Sequence, residues 1–280
     1  FSRKEVDTRA LEIWMQDLFI RDESGLYITG LPARESGRWI IKRKATARAV
    51  KTAKCTMPGP DGISALAYQV LGDLAVDVLH DVVCALCSER SAEMLTEAYS
   101  DRCVEGVHHF NLSLLCCLPK KPSGNDSIAG EFYDAEATRP LALVNNDNRI
   151  IAASARLTWE PILNEFISHH QQGFLKGRQM LGNIIDIDYY AMTVSLTSDK
   201  GAAIFFDFKA AFPSIAHDFL MQSLSHIGMP RSALSLIHAL YDNNICNISF
   251  KGGLFEGFRM ERGVRQGCPL SHFFSLLQLT

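Results

Sequence analysis

Asp207 follows directly on the apolar run of residues 202–206, and a helical pattern resumes over residues 214–226. An apolar run of strand length that ends on Asp sets a carboxylate at a strand terminus. A side chain held there can cap the helix that follows or hold a cation; read alone, Asp207 is a helix cap. A second stretch able to do chemistry is basic. Between Arg34 and Lys54 stand eight cations (Arg34, Arg38, Lys42, Arg43, Lys44, Arg48, Lys51 and Lys54) and one acid, Glu35. The rest of the chain holds 20 basic and 30 acidic residues, so a basic strip sits on an acidic body although the net charge is only −3. Phosphate backbones attract such clusters, and a solvated helix face accounts for the strip equally well. The third stretch is the CxxC of Cys84 and Cys87, with Cys116 and Cys117 further on. It reads as core rather than as half a zinc site: the pair lies in the apolar pattern Val76, Val78, Leu79, Val82, Val83, Leu86, and the second pair lacks intervening residues.

These groups need elements to position them. With 280 residues, 47% of them hydrophobic, the chain can bury a sizeable core in one large domain or two modest ones. Its eight cysteines lack a secreted-domain rhythm, which implies reduced thiols and an intracellular location, the nucleus included; no targeting signal is visible. No apolar run approaches the ~18 residues of a membrane span. Residues 4–20 have a helical period, and MPGPDGIS (57–64) is a rigid turn in which Ser64 can cap a long amphipathic helix running to about Arg90. Residues 112–118 and 141–144 read as two strands joined by a flexible polar tip. Helices are expected over 148–168, from the turn QQGFLKGRQ (171–179) through Tyr190, and over 230–242. Residues 245–251 and 254–260 alternate as a hairpin across Gly252 and Gly253. Both ends of the chain look cut, with Phe1 first and Thr280 inside an apolar stretch.

Taken in order, MPGPDGIS, LPKK (118–121), TRPLALVNNDNRIIAASARL (138–157), QQGFLKGRQ, AIFFDFKAAFPSI (203–215) and GVRQGCPLS (263–271) resemble the successive motifs of reverse transcriptases of non-LTR retrotransposons and group II introns. The resemblance covers roughly residues 50–280. It implies an α+β fold, the fingers and partial palm of a right-hand polymerase with an antiparallel sheet backed by helices. Residues 1–50 would be an N-terminal helix and basic linker, 51–195 the fingers with the start of the palm, and 196–280 the palm with its first and second motifs. It implies an RNA template, a DNA primer and deoxynucleoside triphosphates as partners, and two Mg²⁺ ions as cofactors. By the same resemblance Asp207 is the catalytic, metal-binding aspartate, and the carbonyl of Phe208 is a further metal ligand beside the nucleotide. Phe212 lies under the sugar and would select deoxynucleotides; its alternative is a core aromatic. Lys120 and Arg139 grip the triphosphate, with Lys121 the substitute if the register slips by one. Gln266 and Gly267 lie beneath the nucleotide. Gly59, Pro60, Asp61 and Gly62 form a loop near the template, and Arg265 reaches template or primer phosphates.

The sequence departs from the family at two places. Pro213 and Ser214 follow Phe212, where many relatives have Asp. The third palm motif, an aromatic and any residue followed by two aspartates, does not appear in the nine residues after Ser271, so one metal site is incomplete and these 280 residues are not expected to polymerise by themselves. The alternative from another class is a decayed retroelement remnant or a nucleic-acid-binding module. An RNA-dependent RNA polymerase is disfavoured by Phe212.

Overall fold

The computed structural model describes residues 9, 13, 36–100, 110–128, 130–167, 170–173, 175–206, 214–250, 252–265, 267–271 and 274. The expected helix over residues 4–20 lies outside the described residues, apart from Arg9 and Ile13, both helical. After a 3₁₀ turn at Ser36–Trp39 come helices α1 (Arg43–Thr52), α2 (Ala65–Leu71), α3 (Asp73–Leu86) and α4 (Ser91–Ser100). Strand β1 (Ser113–Pro119) leads into a small hairpin of β2 (Gly124–Asp126) and β3 (Gly130–Phe132), and the chain returns along β4 (Thr138–Val144). Helices α5 (Asn146–Phe166), α6 (Met180–Thr197), α7 (His217–His226) and α8 (Arg231–Tyr241) follow, then the hairpin of β5 (Ile245–Phe250) and β6 (Gly253–Arg259).

The core forms where apolar stripes meet. Val76, Leu79, Val83 and Leu86 of α3 recur at helical spacing and are buried against Ala49 and Val50 of α1 and Ile151, Ala155 and Trp159 of α5. Leu220 and Leu224 of α7 and Leu236, Ile237 and Leu240 of α8 extend the same cluster. Trp159 donates its indole N–H to the Trp39 carbonyl at 3.0 Å, which satisfies the polar edge of a large buried ring. At the start of β1, Asn111 is fully buried, and its amide donates to the carbonyls of Ala239 and Asp242 at 2.7 and 2.6 Å. Asn148 Nδ2 in the first turn of α5 donates to Asn111 Oδ1 at 3.1 Å, so one polar network ties strand, helix end and helix start together.

Four expectations are corrected. The helix after Ser64 is two helices: Gly72 breaks it at φ 56°, a left-handed conformation that glycine adopts at little cost, and Ser64 makes no side-chain cap. The main sheet is mixed, in the order β4-β1-β5-β6, because β1 pairs with β5 in parallel while its other pairings are antiparallel. Residues 202–206 form no strand. They carry no regular structure and are exposed, with Ile204 and Phe206 at 74% and 88%, and no described strand pairs with them. In the CxxC, Cys84 is exposed and only Cys87 is half-buried, where burial pushes its thiol up to about 11. Helix α6 buries no residue. The Gly252–Gly253 hairpin forms as its spacing predicts, with Gly252 at φ 78°.

Candidate functional site

The β1–β4 ribbon carries the first pair of site residues. Its antiparallel register places Leu118 opposite Arg139 and Pro119 opposite Thr138. The backbone N–H of Lys120 donates to the Ala137 carbonyl at 2.9 Å, so the pairing continues one residue past β1. Directly opposed residues share a face, as do residues two apart along a strand, so Lys120 and Arg139 lie on one face, while Lys121 lies beyond the pairing in a bend. Both cations are exposed, and neither has an ion-pair partner among the described residues.

Leu141, two residues beyond Arg139, is on the same face and meets the loop that contains Gly267. A Cβ added at Gly267 would stand 3.4 Å from Leu141 Cδ1, and φ there is 101°, a backbone conformation open to glycine. The structure thus brings Lys120, Arg139 and Gly267 to one side of the ribbon. Upstream of this loop, Ala216 forms an antiparallel bridge with Arg262, the Gly263 N–H donates to the Ile215 carbonyl at 2.6 Å, and His217 Nε2 lies 2.9 Å from the Gly263 carbonyl. A carbonyl can only accept, so Nε2 carries a proton there; burial holds the His217 pKa below its ordinary value. Residues 215–217 are thereby knit to Arg262 and Gly263, just before the Gly267 loop. Asp207, Phe208, Phe212 and Gln266 lie outside the described residues.

Arg265 is corrected. It is 1% exposed, its Nη2 donates to the Leu240 carbonyl at 2.5 Å, and its guanidinium lies 5.1 Å from the centre of the buried Tyr241 ring. A side chain so enclosed supports the end of α8 and is out of reach of a template phosphate.

The loop of Gly59, Pro60, Asp61 and Gly62 is held by a clasp that the motif reading did not single out. Gly59 is pressed against the end of β4: a Cβ there would come within 2.5 Å of Asn145 Oδ1 and of the Val144 carbonyl carbon. Asn145 Oδ1 accepts the Asp61 N–H at 3.2 Å, and Asp61 Oδ1 accepts the Ile63 N–H at 2.9 Å in an Asx turn. Asn146 Nδ2 donates to the Ile63 carbonyl at 2.6 Å, and Arg149 donates to Thr56 Oγ1 and the Met57 carbonyl, both at 2.9 Å. The available signal was the NNDNR cluster itself, polar residues concentrated where a strand hands over to a helix. Between clasp and loop, burial pushes Asp147 up to about 6 and the nearby Asp61 carboxylate adds to the rise; burial also raises the Tyr68 hydroxyl.

Among the described residues no three His, Cys, Asp or Glu side chains are placed to hold a metal ion, and no helix is long and apolar enough to cross a membrane. A transposon protein of Xenopus laevis, "Transposon TX1 uncharacterized 149 kDa protein", is 26% identical over 217 residues, 76% of this chain; the match spans only 15% of that protein. A solved chain of the "Partial Cas6-RT-Cas1--Cas2 complex" is similar at TM-score 0.35 and 18% identity, over 72% of this chain and 34% of that one. Residues 118–279, which include the Lys120–Arg139 ribbon and the Gly267 loop, match the family described as reverse transcriptase (RNA-dependent DNA polymerase), and the chain belongs to that family.

Proposed function

We propose that residues 51–195 are the fingers and residues 196–280 the front of the palm of a right-hand polymerase of the non-LTR retrotransposon type, which copies an RNA template into DNA from a primer and deoxynucleoside triphosphates. Residues 1–50 serve as an N-terminal helix and basic linker. The observation that carries this reading is the grouping of Lys120, Arg139 and Gly267 on one face of the β1–β4 ribbon. An ammonium and a forked guanidinium suit clustered phosphate oxygens, and both are unpaired among the described residues. A glycine loop beside them admits a substrate to close backbone approach.

Asp207 and the Phe208 carbonyl are hard oxygen donors of the kind magnesium takes, and they would hold it. Bound there and at a further carboxylate, two Mg²⁺ ions would lower the pKa of the primer hydroxyl and offset charge on the departing pyrophosphate. This chain's own residues do the positioning. Lys120 and Arg139 orient the triphosphate, Gln266 and Gly267 line the floor beneath the nucleotide, and Phe212 under the sugar collides with a ribose 2′-hydroxyl. Gly59, Pro60, Asp61 and Gly62, fixed by Asn145, Asn146 and Arg149, present a rigid loop to the template.

The test is steady-state primer extension by a polypeptide in which residues 1–280 are followed by a two-aspartate hairpin and a thumb. Lys120→Ala and Arg139→Ala should each raise the KM for deoxynucleotide by about 10-fold or more, the loss of a charge-assisted hydrogen bond, while Lys121→Ala beyond the paired ribbon changes it little. Unchanged KM in both variants would remove the triphosphate from this face.

A further inference from the structure

The eight cations of the basic strip are not equivalent once folded. Arg38 is paired with Glu165, and Arg43 with Asp73 and Asp77 of α3 at 2.9 and 2.6 Å, so these two brace helices against one another. Helix α1 turns Thr46, Ala49 and Val50 into the core. Lys44, Arg48 and Lys51 are spaced four and three residues apart, which puts them within an arc of about 60° opposite that buried stripe and along about 10 Å of helix. All three are exposed, and none has a carboxylate partner among the described residues.

Their arrangement does not serve the helix. The first turn of α1 carries no acid, and Lys44 stands at the end where the helix dipole is already positive, whereas Arg43 beside it is offset by Asp73 and Asp77. An external anion beside Lys44 relieves that repulsion. The exposed Lys54 follows two residues after the end of α1 and five residues before the clasped Gly59–Gly62 turn in the chain. No aromatic side chain is interleaved with the row, so it offers charge without a stacking platform or a reader of base edges.

We propose that the outer face of α1, Lys44, Arg48 and Lys51, is a sequence-independent docking rail for the phosphate backbone of single-stranded RNA, leading the template to the Gly59–Gly62 loop. This rests on the polymerase reading for the identity of the strand, but its measurement needs no catalysis. The probe is a single-stranded RNA oligonucleotide of mixed sequence, titrated by fluorescence anisotropy into the 280-residue chain over a range of salt concentrations without nucleotide or divalent ion. Each single-strand phosphate contact contributes a slope of about −0.7 to log K against log salt, so Lys44→Gln/Arg48→Gln/Lys51→Gln should flatten the slope by about 2. Over a four-fold rise in salt the variant should lose about 20-fold less affinity than the parent. Lys44→Arg/Lys51→Arg, which keeps the charge, should retain the parent slope. The three side chains face away from the core, so far-ultraviolet circular dichroism should be unchanged.

An unaltered slope in the triple variant overturns the proposal. So does an equal flattening with blunt duplex DNA of the same length, which would assign the face to a duplex instead of the template strand. Loss of extension on changing Lys120 or Arg139 is read by a separate assay, so failure of this rail and failure of the polymerase reading are distinguishable.

Discussion

Replacing Asp147 by Asn should make the protein more stable at neutral pH and leave it unchanged in acid. Asp147 occupies the first turn of α5 between the clasp residue Asn146 and Asn148, which bonds Asn111. Burial disfavours its charged form; the Asn148 N–H, 2.5 Å from Oδ1, opposes the shift, and the Asp61 carboxylate adds to it. The result is a pKa of about 6 against an ordinary 3.8. The folded state thus binds this proton more tightly than the unfolded chain. The stability it contributes is fully present below about pH 4 and is lost as pH rises through about 6. A difference of about two units corresponds to about 3 kcal/mol at pH 8. Asparagine keeps the shape and can still accept the Asn148 N–H, but never ionises. Urea denaturation of both proteins from pH 4 to pH 8 should give equal midpoints at the acid end and a gap that opens in favour of Asp147→Asn, approaching about 3 kcal/mol. A difference that stays constant with pH would refute the buried-carboxyl explanation.

Two further substitutions probe what holds the loop and the strand in place. Gly59→Ala forces a methyl against Asn145 and Val144 backbone and should cost more than about 2 kcal/mol by chemical denaturation, whereas Gly62→Ala meets open space and pays only for its left-handed φ of 70°. Equal, small effects would mean the turn does not sit against β4. Asn111→Ala removes the donor to the Ala239 and Asp242 carbonyls and one acceptor of the Asn148 amide and should cost about 2–4 kcal/mol in the same assay; a loss under about 0.5 kcal/mol would show that water replaces the side chain.

Much of the secondary structure was legible because it is written locally. The alternation on either side of Gly252–Gly253 specifies a hairpin, and the apolar stripe of residues 76–86 specifies the buried face of α3. What escaped depends on partners distant in sequence. The parallel pairing of Ser113 with Cys246 joins residues more than a hundred positions apart and leaves no local mark. Residues 202–206 read as a strand from hydrophobicity alone, but a strand exists only beside another, and none of the described strands is beside them. For the site, the resemblance selected Lys120, Arg139 and Gly267, and the register brings them to one face. It equally selected Arg265, because an arginine beside a substrate loop looks the same in sequence whether it reaches outward or, as here, inward to Leu240. The clasp residues Asn145, Asn146 and Arg149 were quoted within a motif, yet their role needs the loop of residues 59–62 folded against them.

The most direct measurement of RNA-templated DNA synthesis is primer extension by the polypeptide completed with a two-aspartate hairpin and thumb, comparing the parent with Asp207→Ala. Extension should vanish in the variant while its affinity for RNA template stays within about two-fold, since the role proposed for the carboxylate is in metal-assisted transfer rather than in template binding. Extension retained at near-parental rate by Asp207→Ala would contradict the assignment of this motif as the polymerase centre.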